Sequence, residues 1–534
     1  MGKAAALQNP LCNREAGNDG FGRLRFVEED GYGGTVCVAE WNGTNNGGAT
    51  APGVTKDAIK VAVLLPNDQQ IATVISRSQL PVNHATGETG TVRDAITDAL
   101  TTFGAFFETY GRKVEPDFVV SSGTDEAAQR ADAVTVKAMK PFAVLDATFN
   151  GENVFATAVA TDKIPVWSFD TSLDATLKQA PYRWGVTDTT AGAINAAEFM
   201  GKQLVGKKAQ YAGDPSLRSE PRKFGMVYGS NVTDKDTLFK ALADHGVKIP
   251  SDAVIDYPAS TSPFGDAPKA QELAPTAVSK LKSAGVTTVL LLADSAMVAA
   301  MTKQATSNDF QPEWVIGGYA FMDLPIFARG YDQEQWRHAF GLSSFAIPPS
   351  DALRESGQGV TATPDPVQWY YGTGNGTSTA FMTNIVTWLM QGVMYAGPKL
   401  TPQTFKQGHF AAPASGGAAS GSGLNAQSGY GRTNGLPYDE YLRGNKDFSL
   451  VWWDPDTVGP QVGSVPGGLG ASWYVDGGKR YNAGSWPTKA IKFFDKSNSE
   501  YQLEEVPPNA PIPVAAPCNG CPSETGQGQP SASS

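Results

Sequence analysis

From Ala58 onward the chain alternates two hydrophobic periods, and this constrains its fold more than any other feature. "AIKVAVLLP" is a continuous apolar run of strand length, the pattern of a strand buried on both faces in a parallel sheet. After a polar stretch, Val92, Ile96, Leu100, Phe103 and Phe107 recur at helical spacing and mark one face of a helix that Gly111 closes. "KVEPDFVV" returns as a strand, in which Pro116 marks either a sheet edge or the first residue. The break "SSGTDE" places Thr124 at a helix N-cap, with Asp125 and Glu126 in the first turn where carboxylates suit the helix dipole. Ala128, Ala131, Thr135 and Ala138 then form the small-residue face expected to pack on the sheet.

The same order continues through "FAVLDA", "IPVWSF", "KFGMVYG", "DAVIDYP", "VTTVLLLA" and "EWVIGG" as strands. Helices are expected at about 233–246, 270–284 and 297–307. Strands and helices in βαβ order imply parallel sheets with right-handed crossovers. Ligands in such sheets bind beyond the carboxyl ends of the strands, so the loops there are where function is sought.

At 534 residues the chain exceeds one ordinary core, and two or more lobes are expected. The net charge is −11 with no basic block, which disfavours a nucleic-acid or anionic membrane surface. The longest apolar runs, such as Val289 to Leu292, are far below the roughly 20 residues of a bilayer crossing. The chain opens without a charged segment followed by an apolar one, and reads as an exported protein with its signal removed and Met1 added. Its four cysteines, Cys12, Cys37, Cys518 and Cys521, lie near the ends, and structural disulfides of an oxidising compartment are expected, with three pairings open.

Residues 1–56 read as an irregular Cys-containing leader, 411–437 as a Gly/Ser-rich insertion, and 498–534 as a Pro-rich Cys-containing tail. The four histidines, His84, His245, His338 and His409, show no metal-ligand spacing, and neither HExxH nor GxSxG occurs. "GTGNGT" at Gly372 lacks the phosphate-loop lysine and reads as a turn. No metal, cofactor or catalytic group is expected.

In order and spacing, "IKVAVLLP", "YGRKVE...SSGTDEAAQRADAV", "FAVLDA", "IPVWSF", "YRWGVTDTTAGA" and "AVSKLKSAGVTTVLLLADSAMVAAMTKQATSNDFQPEWVIGG" resemble the type I periplasmic binding proteins. These are solute-binding proteins of ABC importers for branched-chain amino acids and amides; the likeness covers about residues 57–400, and "KKAQYAGDPSLRSEPRKFGMVYG" resembles the longer loop of actinobacterial-type members. The resemblance implies an α/β fold of two Rossmann-like lobes, with parallel sheets flanked by helices and a three-crossing hinge. It places lobe 1 at 57–186 and 314–405, and lobe 2 at 187–313 and 440–495. It implies a monomeric, extracytoplasmic protein that delivers a small solute to a permease, touching membrane only through a lipid anchor on the removed segment.

By resemblance, the loops after the lobe 1 strands grip the solute through Thr148, Phe149, Asn150, Asp170, Thr171 and Ser172. Tyr228, Ser230, Asn231 and Asp294 supply the wall from lobe 2. Ser, Thr, Asn and Asp are also the common helix N-caps, so capping is the competing role for these residues. Amino-acid binders of the family often carry an acid where this chain reads "IGGYAFMD". Tyr319 and Phe321 there suggest an aromatic wall for an apolar or aromatic, amino-acid-like or amide-like solute. Two other functions remain open: a ligand-sensing receptor domain of the same fold, and a hydrolase using carboxylates in the cleft.

Overall fold

The computed structural model describes residues 41, 43–68, 70, 90–148, 154–169, 171–186, 189–259, 265–319, 321–355, 380–412, 427–431, 436–462 and 465–505. The first lobe is built on a five-stranded parallel sheet in the order β2-β1-β3-β4-β5. Its strands are β1 (Ala58–Leu65), β2 (Lys113–Val120), β3 (Ala143–Asp146), β4 (Val166–Ser168) and β5 (Arg183–Gly185). β2 is the edge, where the missing N–H of Pro116 is tolerated. The helix Val92–Phe106 opens on Thr91, whose hydroxyl accepts from Asp94 N while the Asp94 carboxylate accepts from Thr91 N, a capping box. Its apolar face is buried as expected, from Val92 to Phe107.

The helix Glu126–Ala138 corrects two expectations. Its cap is Asp125, which accepts from Ala128 N at 3.0 Å, rather than Thr124. It buries Gln129, Asp132, Ala133 and Val136, while Ala131, Thr135 and Ala138 face solvent. Val136 offers more apolar surface than any alanine of that row. Asp132 turns inward because its carboxylate accepts from Ser122 N and Oγ in the loop after β2.

The second lobe holds a nine-stranded sheet in the order β14-β12-β11-β10-β9-β8-β6-β7, with β13 paired to β11. β6 (Phe224–Gly229), β7 (Val254–Tyr257), β8 (Thr288–Leu292), β9 (Glu313–Gly317) and β10 (Ala339–Ser343) run parallel. β11 (Asp447–Gly459), β12 (Gly468–Val475), β13 (Arg480–Asn482) and β14 (Ser499–Glu500) extend it antiparallel, so this sheet is mixed rather than purely parallel. Segment 314–343, expected in lobe 1, therefore belongs to the second sheet. Glu313 holds it there: its carboxylate accepts from Arg222 Nε at 2.7 Å and Nη2 at 2.8 Å, from Thr288 Oγ1 at 2.7 Å and from Tyr211 N at 2.9 Å.

The chain returns to the first lobe with helices Ala380–Ala396 and Pro402–Ala411, whose Ile385, Val386, Trp388 and Phe405 share a core with Val61 and Trp184. It crosses three times: after β5, between β10 and Ala380, and before β11. At the first and third crossings the two segments pair, Gly185 N donating to Tyr441 O at 3.0 Å and Arg443 N to Gly185 O at 3.0 Å. The described ends of the Gly/Ser-rich insertion and of the Pro-rich tail are packed. Tyr430 is buried beside Trp184, and β14 and Leu503 bond to the second lobe. The four cysteines, His84 and the turn at Gly372 lie outside the described residues. Among the described residues no helix is long and apolar enough to cross a membrane.

Candidate functional site

The connections at β5 and β10 leave from the carboxyl ends of those strands, and the third arrives where β11 pairs with the carboxyl end of β10. The carboxyl edges of both parallel sheets thus turn toward the connecting segments, where such sheets bind ligands.

On the second lobe, this edge is organised by a residue the sequence reading did not single out. Tyr257, the last residue of β7, donates its hydroxyl to Asp294 Oδ2 at 2.8 Å and accepts from Asp294 N at 2.9 Å. Asp294 also caps the helix Ser295–Ser307, its Oδ1 accepting from Met297 N at 3.0 Å. Burial, then the nearby Asp294 and Tyr319, push the Tyr257 hydroxyl well above its ordinary range, so it stays protonated and available as a donor. Its place at a strand's carboxyl end, before Pro258, was the available signal.

Asn231 locks the neighbouring loop, its Oδ1 accepting from Ala259 N at 2.8 Å and its Nδ2 donating to Ala259 O at 3.1 Å. Ser230 donates through both N and Oγ to Tyr257 O, at 2.9 and 3.1 Å. Gly229 allows these loops to meet, since a Cβ there would stand 2.7 Å from Ala259 Cβ, 2.8 Å from Val232 Cγ2 and 3.5 Å from the Tyr319 hydroxyl. Ser230, Asn231, Asp294 and Tyr319 therefore converge around Tyr257. Tyr228 does not join them: it is buried in β6 with its ring against Phe239. Phe321 also stands apart, 42% exposed at a φ of 60°, its ring 5.7 Å from that of Phe345.

On the first lobe, Thr148 is buried and turned inward, donating from N at 3.0 Å and from Oγ1 at 2.6 Å to Asp146 Oδ1. Ser172 caps the helix Leu173–Lys178, accepting from Ala175 N at 3.2 Å. Thr171 packs its methyl group on Gly185, where a Cβ would come within 2.6 Å. The hydroxyls of Thr171 and of Ser168, the last residue of β4, are enclosed and have no hydrogen-bond partner among the described residues. Phe149, Asn150 and Asp170 lie outside the described residues.

The chemistry at these edges is that of hydroxyls, phenols and two buried carboxylates, Asp146 and Asp294, suited to hydrogen-bonded recognition. His409 is deep in the first lobe, His338 precedes β10 at the opposite edge, and His245 ends the helix Lys235–Asp244. Among the described residues no group of three or more His, Cys, Asp or Glu is placed to hold a metal.

No protein-family profile matches the chain, and no curated protein matches it. Solved structures do align with it. A solute-binding protein of an ABC transporter from Rhodopseudomonas palustris BisB5, in complex with 3,4-dihydroxybenzoic acid, is 13% identical at a TM-score of 0.46, covering 81% of this chain and 100% of its own. A fatty acid ABC transporter substrate-binding protein from Thermomonospora curvata is 15% identical at a TM-score of 0.42, covering 76% and 90%. A putative branched-chain amino acid ABC transporter from Rhodospirillum rubrum is 13% identical at a TM-score of 0.42, covering 80% and 99%. At TM-scores below 0.5, such likenesses leave function to be argued from this chain's own residues.

Proposed function

We propose that the chain is an extracytoplasmic solute-binding protein that captures a small organic solute between its lobes and delivers it to an ABC importer. The observation that carries this reading is the joining of two α/β lobes by three crossings at the carboxyl edges of their parallel strands. Lobes joined this way close about a hinge on a ligand that bridges them. The Tyr257–Asp294–Tyr319 cluster supplies phenol and carboxylate from one side, and Ser168 and Thr171 supply hydroxyls from the other. The phenol rings of Tyr257 and Tyr319 favour an apolar or ring-bearing solute.

The test is native mass spectrometry of freshly purified protein, followed by denaturation and identification of the released molecule. A single small molecule, recovered unchanged and rebinding at one equivalent, is the expected result. Recovery of a chemically altered product would replace this reading with an enzyme. Loss of rebinding on removal of the Tyr257 hydroxyl would place the site at this edge.

A further inference from the structure

Beneath the loop that follows β9, within the second lobe, lies a cavity of about 40 Å³. One water needs roughly 10–15 Å³ of such space, so the cavity has room for about three waters, or one molecule of similar size. Its walls are largely apolar, including Leu324, Pro325, Phe345 and Pro348. The charged side chains that line it are Asp323 and Arg329, beside the phenols of Tyr474 and Tyr501. None of Asn231, Tyr257, Asp294 and Tyr319 does, so the cavity is separate from the edge described above.

The Arg329 guanidinium is held in place by its own bonds. Nε donates to Gly470 O at 3.1 Å and Nη1 to Pro466 O at 2.5 Å. Nη2 is enclosed with no hydrogen-bond partner among the described residues, lying where a Cβ on Gly459 would come within 3.2 Å. An enclosed N–H of a charged group without an acceptor is costly, and an acceptor in the cavity would remove that cost. Asp323, also buried, accepts from the Ser343 hydroxyl. The charged and titratable groups acting on it are Arg480 of β13, Tyr474 of β12 and Tyr331, and burial keeps both phenols protonated.

We propose that this cavity is a second ligand site that takes a small carboxylate, of formate or acetate size, with an oxygen accepting from Arg329 Nη2. A planar anion of three or four heavy atoms matches the volume, whereas a tetrahedral oxyanion has more atoms than about three waters occupy. The apolar walls suit the C–H or methyl end. Asp323 sets the conditions of binding. Burial pushes its carboxyl up to about 6, so an entering anion favours its protonated form, and uptake of the anion is linked to uptake of a proton.

The test uses the full-length protein with sodium formate as the probe and sodium chloride as the control. In crystals soaked in formate, planar density on Arg329 Nη2 is expected; water or chloride alone there would overturn the proposal. In solution, formate affinity measured by line broadening of ¹³C-formate should weaken at least tenfold in Arg329→Gln, and an unchanged affinity in a folded variant would overturn it. Asp323→Asn is an independent arm that leaves the guanidinium intact. Wild-type affinity should fall up to tenfold per pH unit above about 6, and the variant should show no such fall. An identical pH profile in both proteins would also overturn the proposal.

Discussion

The hydroxyl of Tyr257 and the main chain and carboxylate of Asp294 satisfy one another, through contacts of 2.8 Å to Oδ2 and 2.9 Å from N. This reciprocal pair joins the end of β7 to the start of the helix after β8, and sets the position of both loops at the carboxyl edge. Asp294→Ala removes a helix cap, worth about 1 kcal/mol, and leaves the O–H donor of a buried phenol unpaired, at a cost of about 1–3 kcal/mol more. Tyr257→Phe should cost about 1–2 kcal/mol. Urea denaturation of both single variants and the double variant should give a coupling energy of at least about 0.5 kcal/mol, as expected for groups in direct contact. Additive effects would contradict the pairing.

Glu313 is the second structural anchor. It is fully buried, paired with the equally buried Arg222, and also bonded to Thr288 and Tyr211. Glu313→Ala strands a buried guanidinium and is expected to destabilise by about 3–5 kcal/mol. Arg222→Met with Glu313→Met should cost less than the single alanine change, because no charge is left unpaired. Chemical denaturation of the three proteins tests the order.

His409 sits among Trp184, Trp388, Phe405 and Tyr430, with ring centroids 4.8–6.2 Å away. Burial pushes its imidazole down to about 3, so it is neutral in the fold and protonates readily only on unfolding. The stability it contributes is therefore present above about pH 6.5 and is lost as pH falls toward 3, with a slope approaching about 1.4 kcal/mol per pH unit. His409→Phe should flatten that slope between pH 6.5 and 4 in urea titrations.

Asp323 titrates in the opposite sense. Its carboxyl is raised by burial to about 6, so its contribution is full below the unfolded carboxylate value near 4 and is lost as pH rises through 6. Asp323→Asn should be more stable than wild type at pH 8, by on the order of 1–3 kcal/mol, and the gain should vanish near pH 4. Thermal melting at the two pH values measures it.

The strands buried on both faces were legible because continuous apolar runs such as Val289 to Leu292 have few other uses. Periodicity does not report lobe membership, which was assigned by resemblance alone, and β9 and β10 join the second sheet instead. The position of Glu313 depends on Arg222, 91 residues earlier, a contact that no local pattern encodes. At the candidate site, the resemblance singled out Asp294, Asn231 and Ser172, and residue type could not separate a cap from a ligand contact. In the structure, Ser172 and Asp294 both serve as caps. Tyr257 was missed because a tyrosine ending a strand looks like core until its hydroxyl partner is known. The small-residue face of the helix Glu126–Ala138 failed for a related reason: a buried aspartate, Asp132, bonded to Ser122, set the rotation of the helix.

The pairing of the first and third crossings has a mechanical consequence. Gly185 and Tyr441–Arg443 form a short two-strand ribbon, and Gly444 N donates to Val186 O at 2.5 Å where the chains leave it. Two independent tethers would let the lobes twist and slide as well as bend. A hydrogen-bonded ribbon resists shear along its length and yields most easily out of its plane, so it acts as a leaf spring. For the closure that the proposed function calls for, out-of-plane bending of this ribbon would be the softest coordinate, carrying the loops at the two carboxyl edges along a repeatable path.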